Sequence, residues 1–401
     1  METSEKKGIF LSFEGISNTI FDSQVAVHVK ELSSHGVNMD IITFETWPKQ
    51  FIKSYKRLNH AILLSQSRVL LYKGFFVYLP FSVLINSFLV LLRISLLKAK
   101  PKFIHARSDY AASACVMTSL LTHIPIIWDC RGDSYAEFKL SFKPKNIIQR
   151  IFKFIYLKHI LVQKFIAGKI CISGIFVSET LYKRNKKFIK NKHYEIIPTS
   201  ASSSKFFYSK ELRIETRKIL GFNDKIIVIL YSGGMTGYQN FGEIVNAVKK
   251  ILQKNSNFHF LVVTPDIEKS KAIIGNQLDQ KDFTILSIPF EEMNGIYNAS
   301  DVGILIRDKN QINDVASPTK FSEYCLTGLK VIMNDSIVQS FEFAKHLNNL
   351  TEYKNGKIDN VFFEFNETLR KKIAFEAINI LSREANISKY KRIYEFEKLN
   401  N

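Results

Sequence analysis

The sequence predicts an α/β protein made of two doubly wound domains, each a largely parallel sheet covered by helices on both faces. Short apolar runs alternate with helical patterns through residues 8–197, and after the polar stretch at 199–204 (TSASSS) the same alternation begins again. Strands buried on both faces read as continuous apolar runs, whereas half-exposed strands alternate. The chain has 401 residues, and domains commonly hold about 100 to 200 residues. The expected division is therefore 1–200, then 201–380, with 381–401 as a C-terminal helix crossing back to the first domain.

Residues 8–13 (GIFLSF) form the first expected strand. A loop with Glu14, Gly15 and Asn18 follows, then a helix carrying Val25, Val29 and Leu32 on one face. His35 and Gly36 stop that helix, and residues 39–44 (MDIITF) make the next strand, completing a β-loop-α-β unit. Residues 103–106 (FIHA) and 125–128 (PIIW) are further strands around a small-residue helix at 110–121, and 170–172 and 194–197 complete the first set. In the second half, 225–231 (KIIVILY) is a strand, 232–237 (SGGMTG) a glycine-rich loop, and 241–252 an amphipathic helix. Strands are expected again at 259–264, 284–288, 302–306 and 330–333.

Hydrophobic residues at 46% and charged residues at 23% exclude a disordered or collagenous chain. The net charge of +19 favours polyanions, whether nucleic acid, anionic lipid or phosphorylated small molecules. No nucleic-acid-reading motif accompanies it. Cys115, Cys130, Cys171 and Cys325 show no CxxC spacing, so neither a disulfide framework nor a structural metal is expected and a reducing cytoplasm fits. The N-terminal residues lack a signal-peptide pattern, so the chain is expected to stay in the cell.

The stretch 74–92 carries no formal charge and approaches the length of a membrane span, although Pro80, Ser82, Asn86 and Ser87 interrupt it. It reads as a buried helix, a membrane-facing helix or a span. The basic surroundings, Lys49, Lys53, Lys56, Lys73, Lys98 and Lys102 among them, favour peripheral contact with anionic lipid at the inner face of the cell membrane. Those lysines equally suit solvated helix faces.

Chemistry concentrates in residues 313–328 (NDVASPTKFSEYCLTG). Ser317 reads as an N-cap and Pro318 as the first helical residue, which puts Thr319 and Lys320 in the first turn. Helix-terminal amides, the positive dipole end and the Lys320 ammonium suit a diphosphate. Glu323, one turn later, can accept hydrogen bonds from sugar hydroxyls. The other reading is an ordinary capped helix whose Lys320 and Glu323 form a surface pair. Gly233 and Gly234 offer a second close approach to phosphate. No GxxxxGK[ST] and no DxD are present, against a nucleoside triphosphatase and a metal-bridged sugar transferase.

Taken together, several segments resemble glycosyltransferase family 4, retaining enzymes of the GT-B fold that build bacterial capsular and lipopolysaccharide glycans. They are Phe13 to Gly15, the run Trp128, Asp129, Cys130, Arg131, Gly132 and Asp133, the Pro198 hinge, Asp301 with Gly303, and Ser317 to Tyr324 leading to Gly328. The resemblance implies two Rossmann-like domains facing across a cleft. It implies a metal-independent enzyme with a nucleotide diphosphate sugar as co-substrate, no other cofactor, and a glycan or lipid-linked acceptor. It makes Lys320, Asp129 and Arg131 catalytic, and Gly15, Gly233, Gly234, Ser317, Thr319, Lys320 and Glu323 donor-binding. Glu323 matches the second glutamate of the family's E-x7-E motif, while Val315 replaces the first. The family's basic pair after the glycine loop is missing before Asn240, which leaves the diphosphate to Lys320 and Arg307.

In such a reaction negative charge builds on the diphosphate, and a phosphate oxygen takes the acceptor's proton, so no protein nucleophile is required. Asp129 or Asp133 as nucleophile or base is the other possibility, against capping of the loop after PIIW. His105 reads as a packed histidine. A nucleotide-sugar epimerase and a catalytically silent binding scaffold stay open beside the transferase.

Overall fold

A computed structural model describes residues 7–17, 21–79, 81–235, 237–254, 257–275, 277–358 and 364–395. Asn18, Pro80 and Thr236 lie outside the described residues. The chain forms two units, one of Met1–Ile197 with Ile387–Asn401 and one of Pro198–Asn386.

The first unit holds β1 (Gly8–Ser12), β2 (Met39–Glu45), β3 (Val69–Lys73), β4 (Ile104–Arg107), β5 (Ile126–Cys130), β6 (Ser173–Phe176) and β7 (His193–Ile196). They form one sheet in the order β3-β2-β1-β4-β5-β6-β7, with every pair parallel. All of β1, GIFLS, is buried, as a strand covered on both faces requires. One covering layer is a core of Phe21, Val25, Val29 and Leu32 with Ile387, Tyr390 and Tyr394 from the last helix.

The second unit repeats the plan with β8 (Ile227–Ser232), β9 (Phe258–Val263), β10 (Phe283–Leu286), β11 (Val302–Leu305), β12 (Lys330–Met333), β13 (Leu350–Lys354) and β14 (Lys357–Ile358). The order is β10-β9-β8-β11-β12-β13-β14, and only the short β13–β14 pair is antiparallel. Alternate residues of β8 feed opposite cores, Val228 and Leu230 to one side and Ile227, Ile229 and Tyr231 to the other. In both sheets the strand order reverses beside the first strand, and ligands of such sheets bind at the carboxyl ends of the strands at that point.

Several local expectations need correction. Residues 170–172 are not a strand: the helix Ile147–Ile170 ends there and β6 starts at Ser173. The helix expected at 110–121 is two, Ser108–Ser113 and Val116–Thr122. The uncharged stretch 74–92 is not one helix either. Asn86 binds the Phe75 N–H (2.8 Å) and donates to the Phe75 carbonyl (2.9 Å), which folds 74–79 back as a loop. The helix is then Ser82–Ser95, 14 residues, about 21 Å long against the roughly 30 Å of a bilayer core. Among the described residues no helix is long and apolar enough to cross a membrane.

Candidate active site

In the second unit, the carboxyl end of β8 runs into Gly233, whose φ of +133° is strained for a residue with a side chain. Its N–H still bonds the Val263 carbonyl at 2.9 Å, continuing the β8–β9 ladder by one residue. The far end of the loop is held on both sides of one residue, because Met235 donates its N–H to Asp266 (2.9 Å) and its carbonyl accepts from Lys269 Nζ (2.6 Å). The Tyr231 hydroxyl lies 2.6 Å from the Gly234 carbonyl and 2.7 Å from Gln239 Oε1.

Lys320 reaches this loop from the helix Thr319–Leu326. Its Nζ donates to Gln239 Oε1 at 3.1 Å and lies 4.8 Å from the centre of the Tyr231 ring. Both partners are neutral. Burial, reinforced by the positive charge of Arg307 and opposed by Glu323, lowers its pKa to about 7. Arg307 follows β11 and is itself buried, with its guanidinium 3.3 Å from Asn313 Oδ1. Two cations therefore meet at the switch point with an unfavourable electrostatic balance, which an anion would relieve.

The start of that helix differs from expectation. Pro318 occupies the cap position with extended backbone, the helix begins at Thr319, and no side chain caps it. Ser317 instead accepts the Thr199 N–H at 2.8 Å, and Ser322 donates to the Thr199 carbonyl at 2.8 Å. With Pro318 at the cap position, Ser317 stands one residue before it, and its hydroxyl serves Thr199 instead of the helix amides. The serines thus fix the helix to the segment after Pro198, and Thr319 and Lys320 remain in its first turn.

Glu323 turns into the core and does not form a surface pair with Lys320. It is 7% exposed and accepts from the Tyr297 hydroxyl at 2.5 Å. The chain continues through Ser232 Oγ, 3.3 Å from the Tyr297 hydroxyl and 3.2 Å from that of Tyr324. Burial pushes the Glu323 pKa up, against the Tyr297 hydrogen bond and the charges of Lys320 and Arg383. Gly233, Lys320 and Glu323 thus share one neighbourhood, connected by Tyr231, Ser232, Gln239 and Tyr297. Sequence reasoning missed Gln239, Tyr297, Asp266 and Lys269. Only the position of Gln239 just after the glycine loop could have signalled one of them. Val315 lies buried in the turn Asn313–Val315.

The other sequence-derived residues lie in the first unit. Gly15 has φ +64°, and a Cβ there would collide with the Glu45 carboxylate and stand 3.0 Å from Ser54 Oγ. Asp129, next to last in β5, is wholly buried. Its Oδ2 receives His105 Nε2 at 3.0 Å and Arg131 Nε at 2.7 Å. Burial alone would raise its pKa, but the charge of Arg131 and then of His105 hold it below the usual carboxylate range. Arg131 also donates to the Tyr390 hydroxyl (3.1 Å), and His105 Nδ1 lies 2.8 Å from that of Tyr394. His105 is packed, as expected, and burial lowers its pKa. Asp133 caps the helix Ser134–Ser141 and pairs with Lys164 (3.1 Å) and Arg184 (3.3 Å).

No family model and no curated protein matches the sequence. Solved structures do match over nearly the whole chain. A glycosyltransferase from Rickettsia africae is 18% identical, with a TM-score of 0.69 over 99% of this chain and 100% of its own. Anabaena HepE in complex with UDP is 11% identical, with a TM-score of 0.69 over 96% and 98%. Sucrose-phosphate synthase from Thermosynechococcus elongatus is 13% identical, with a TM-score of 0.67 over 98% and 100%. The chain has the GT-B fold. In GT-B terms the first unit is the N-terminal domain and the second the C-terminal domain. At these identities the likeness establishes the fold, and the chemistry rests on the site.

Proposed function

We propose that this GT-B chain is a glycosyltransferase. It moves a sugar from a nucleotide diphosphate sugar to a hydroxyl of a glycan or lipid-linked glycan, with retention at the anomeric carbon, in bacterial surface polysaccharide synthesis. The observation that carries the reading is the Lys320 ammonium, held against the Gly233 backbone by neutral partners at the carboxyl end of β8. Support comes from HepE, whose structures hold UDP in one case and UDP with glucose in another.

Breaking the bond between the anomeric carbon and the phosphate oxygen leaves negative charge on the diphosphate. Lys320, Arg307 and the positive end of the helix Thr319–Leu326 stabilise that charge more in the transition state than in the ground state. The acceptor hydroxyl attacks the same face and gives its proton to a phosphate oxygen of the leaving group. In this reading Lys320, Arg307 and the helix end supply the positive charge, and no metal is invoked. Glu323, oriented by Tyr297, accepts from the ribose hydroxyls. Gly234, Ser317 and Thr319 shape the donor cradle. In the N-terminal domain, Gly15 keeps the loop after β1 tight, while Asp129 and Arg131 position the loop after β5.

The experiment is transfer by the purified protein across a panel of nucleotide diphosphate sugars and glycan acceptors, read by mass spectrometry. Glycosylated product that depends on acceptor and falls at least a hundredfold in Lys320→Ala supports the reading. An epimerised donor formed without acceptor, or nucleotide binding without turnover on any donor, overturns it.

A further inference from the structure

The first unit presents an unpartnered apolar layer. Helix Ser82–Ser95 buries Val83, Asn86, Ser87, Val90 and Ile94 on one stripe and exposes Leu84, Ile85, Phe88 and Leu92 on the other. It packs on Val116–Thr122, which packs in turn on Ile147–Ile170, and Ser87 Oγ accepts the Met117 N–H at 2.9 Å. Val116–Thr122 exposes Leu120 and Leu121, the latter at 69%. Helix Ile147–Ile170, 24 residues and about 36 Å long, exposes Ile148, Ile151, Phe154, Val162 and Phe165. A helix apolar on both faces belongs against something other than water.

Charge decides the occupant. These three helices contain no Asp or Glu, but carry Arg93, Arg150, Lys153, Lys158, Lys164 and Lys169. Lys164 turns inward to Asp133 at 3.1 Å, Lys153 is held by the Lys139 and Phe142 carbonyls at 2.6 Å, and Arg93 lies 4.3 Å from the centre of the Tyr72 ring, which leaves Arg150, Lys158 and Lys169 exposed. The Lys158 and Lys169 ammonium groups lie over the Phe154 and Phe165 rings, at 5.5 and 5.6 Å. A ring that enters an acyl layer would therefore carry its cation at the phosphate level, as interfacial helices do. A second copy of this chain would bring base against base with no acid to answer it. We propose that the outer face formed by Ser82–Ser95, Val116–Thr122 and Ile147–Ile170 docks on an anionic lipid bilayer, without spanning it. The contact does not depend on the transferase reading, although it would keep a lipid-linked acceptor within reach.

The test is flotation of the full chain with phosphatidylglycerol-containing vesicles and with pure phosphatidylcholine vesicles. The expected result is binding at least tenfold stronger to the anionic vesicles and weakened several-fold near 1 M salt, where the Debye length is about 3 Å. Phe88→Ser/Phe154→Ser/Phe165→Ser and Lys158→Glu/Lys169→Glu should each lose at least tenfold in binding with unchanged melting, because every altered side chain is exposed. Equal binding to both vesicle types, or undiminished binding by the serine variant, overturns the proposal. So does a dimer in light scattering that the serine variant converts to a monomer, which assigns the face to a second copy.

Discussion

Lys320 and Gly233 compete for one space: a Cβ built on Gly233 collides with Lys320 Nζ and stands 3.1 Å from its Cε. The glycine is thus required both by its φ of +133° and by the ammonium above it. Gly233→Ala should cost about 1–3 kcal/mol of stability from backbone strain and displace Lys320. Calorimetry should show nucleoside diphosphate affinity reduced at least tenfold, and denaturant unfolding should show the stability loss.

The depressed pKa of Lys320 gives a pH signature. Folded, the group titrates at about 7, against an ordinary 10.5 in the unfolded chain. Between those values the unfolded chain binds the extra proton, so the Lys320 contribution makes stability rise with pH through that window. Unfolding of the wild type compared with Lys320→Met across pH 6 to 10 should show the wild type gaining relative stability as pH rises. Diphosphate affinity, which needs the charged ammonium, should fall over the same range in the wild type and stay flat in Lys320→Met.

Tyr297 orients Glu323 through a 2.5 Å hydrogen bond inside the core. Tyr297→Phe removes the donor and leaves a buried carboxylate short of a partner, at a cost of about 2 kcal/mol. Thermal unfolding should register that loss. Calorimetry should show weaker nucleoside diphosphate binding, while free inorganic pyrophosphate, which lacks ribose, binds as before.

Asp129 holds His105 and Arg131 together in the first unit. Asp129→Ala leaves the half-buried Arg131 guanidinium and the buried His105 without their carboxylate and should destabilise by about 3 kcal/mol. Because the Asp129 pKa is lowered from its ordinary 3.8, its contribution is present above that value and is lost as pH falls below it. Acid unfolding followed by circular dichroism should therefore start at higher pH in the mutant.

The fold was legible because buried parallel strands print their apolar runs directly, as in GIFLS of β1 and IVILYS of β8. β3 was missed: VLLYK is short and ends in a lysine at the sheet edge, so it carries little of that signal. Ile170 to Ile172 misled because an apolar helix end and a buried strand look alike over three residues. Lys320 and Glu323 were legible from their place after Ser317 and Pro318. Their partners were not, because Gln239 is 81 residues from Lys320 and Tyr297 is 26 from Glu323. Local periodicity does not record such contacts. The N-cap assignment of Ser317 failed for the same reason, since its actual donor, Thr199, is 118 residues away.

The most direct measurement is the affinity step contributed by the terminal phosphate, obtained by calorimetry of a nucleoside diphosphate and its monophosphate on wild type and Lys320→Ala. The wild type should bind the diphosphate at least tenfold more tightly, and Lys320→Ala should bind the two about equally. An undiminished diphosphate preference in Lys320→Ala would contradict the assignment of this lysine to the leaving group.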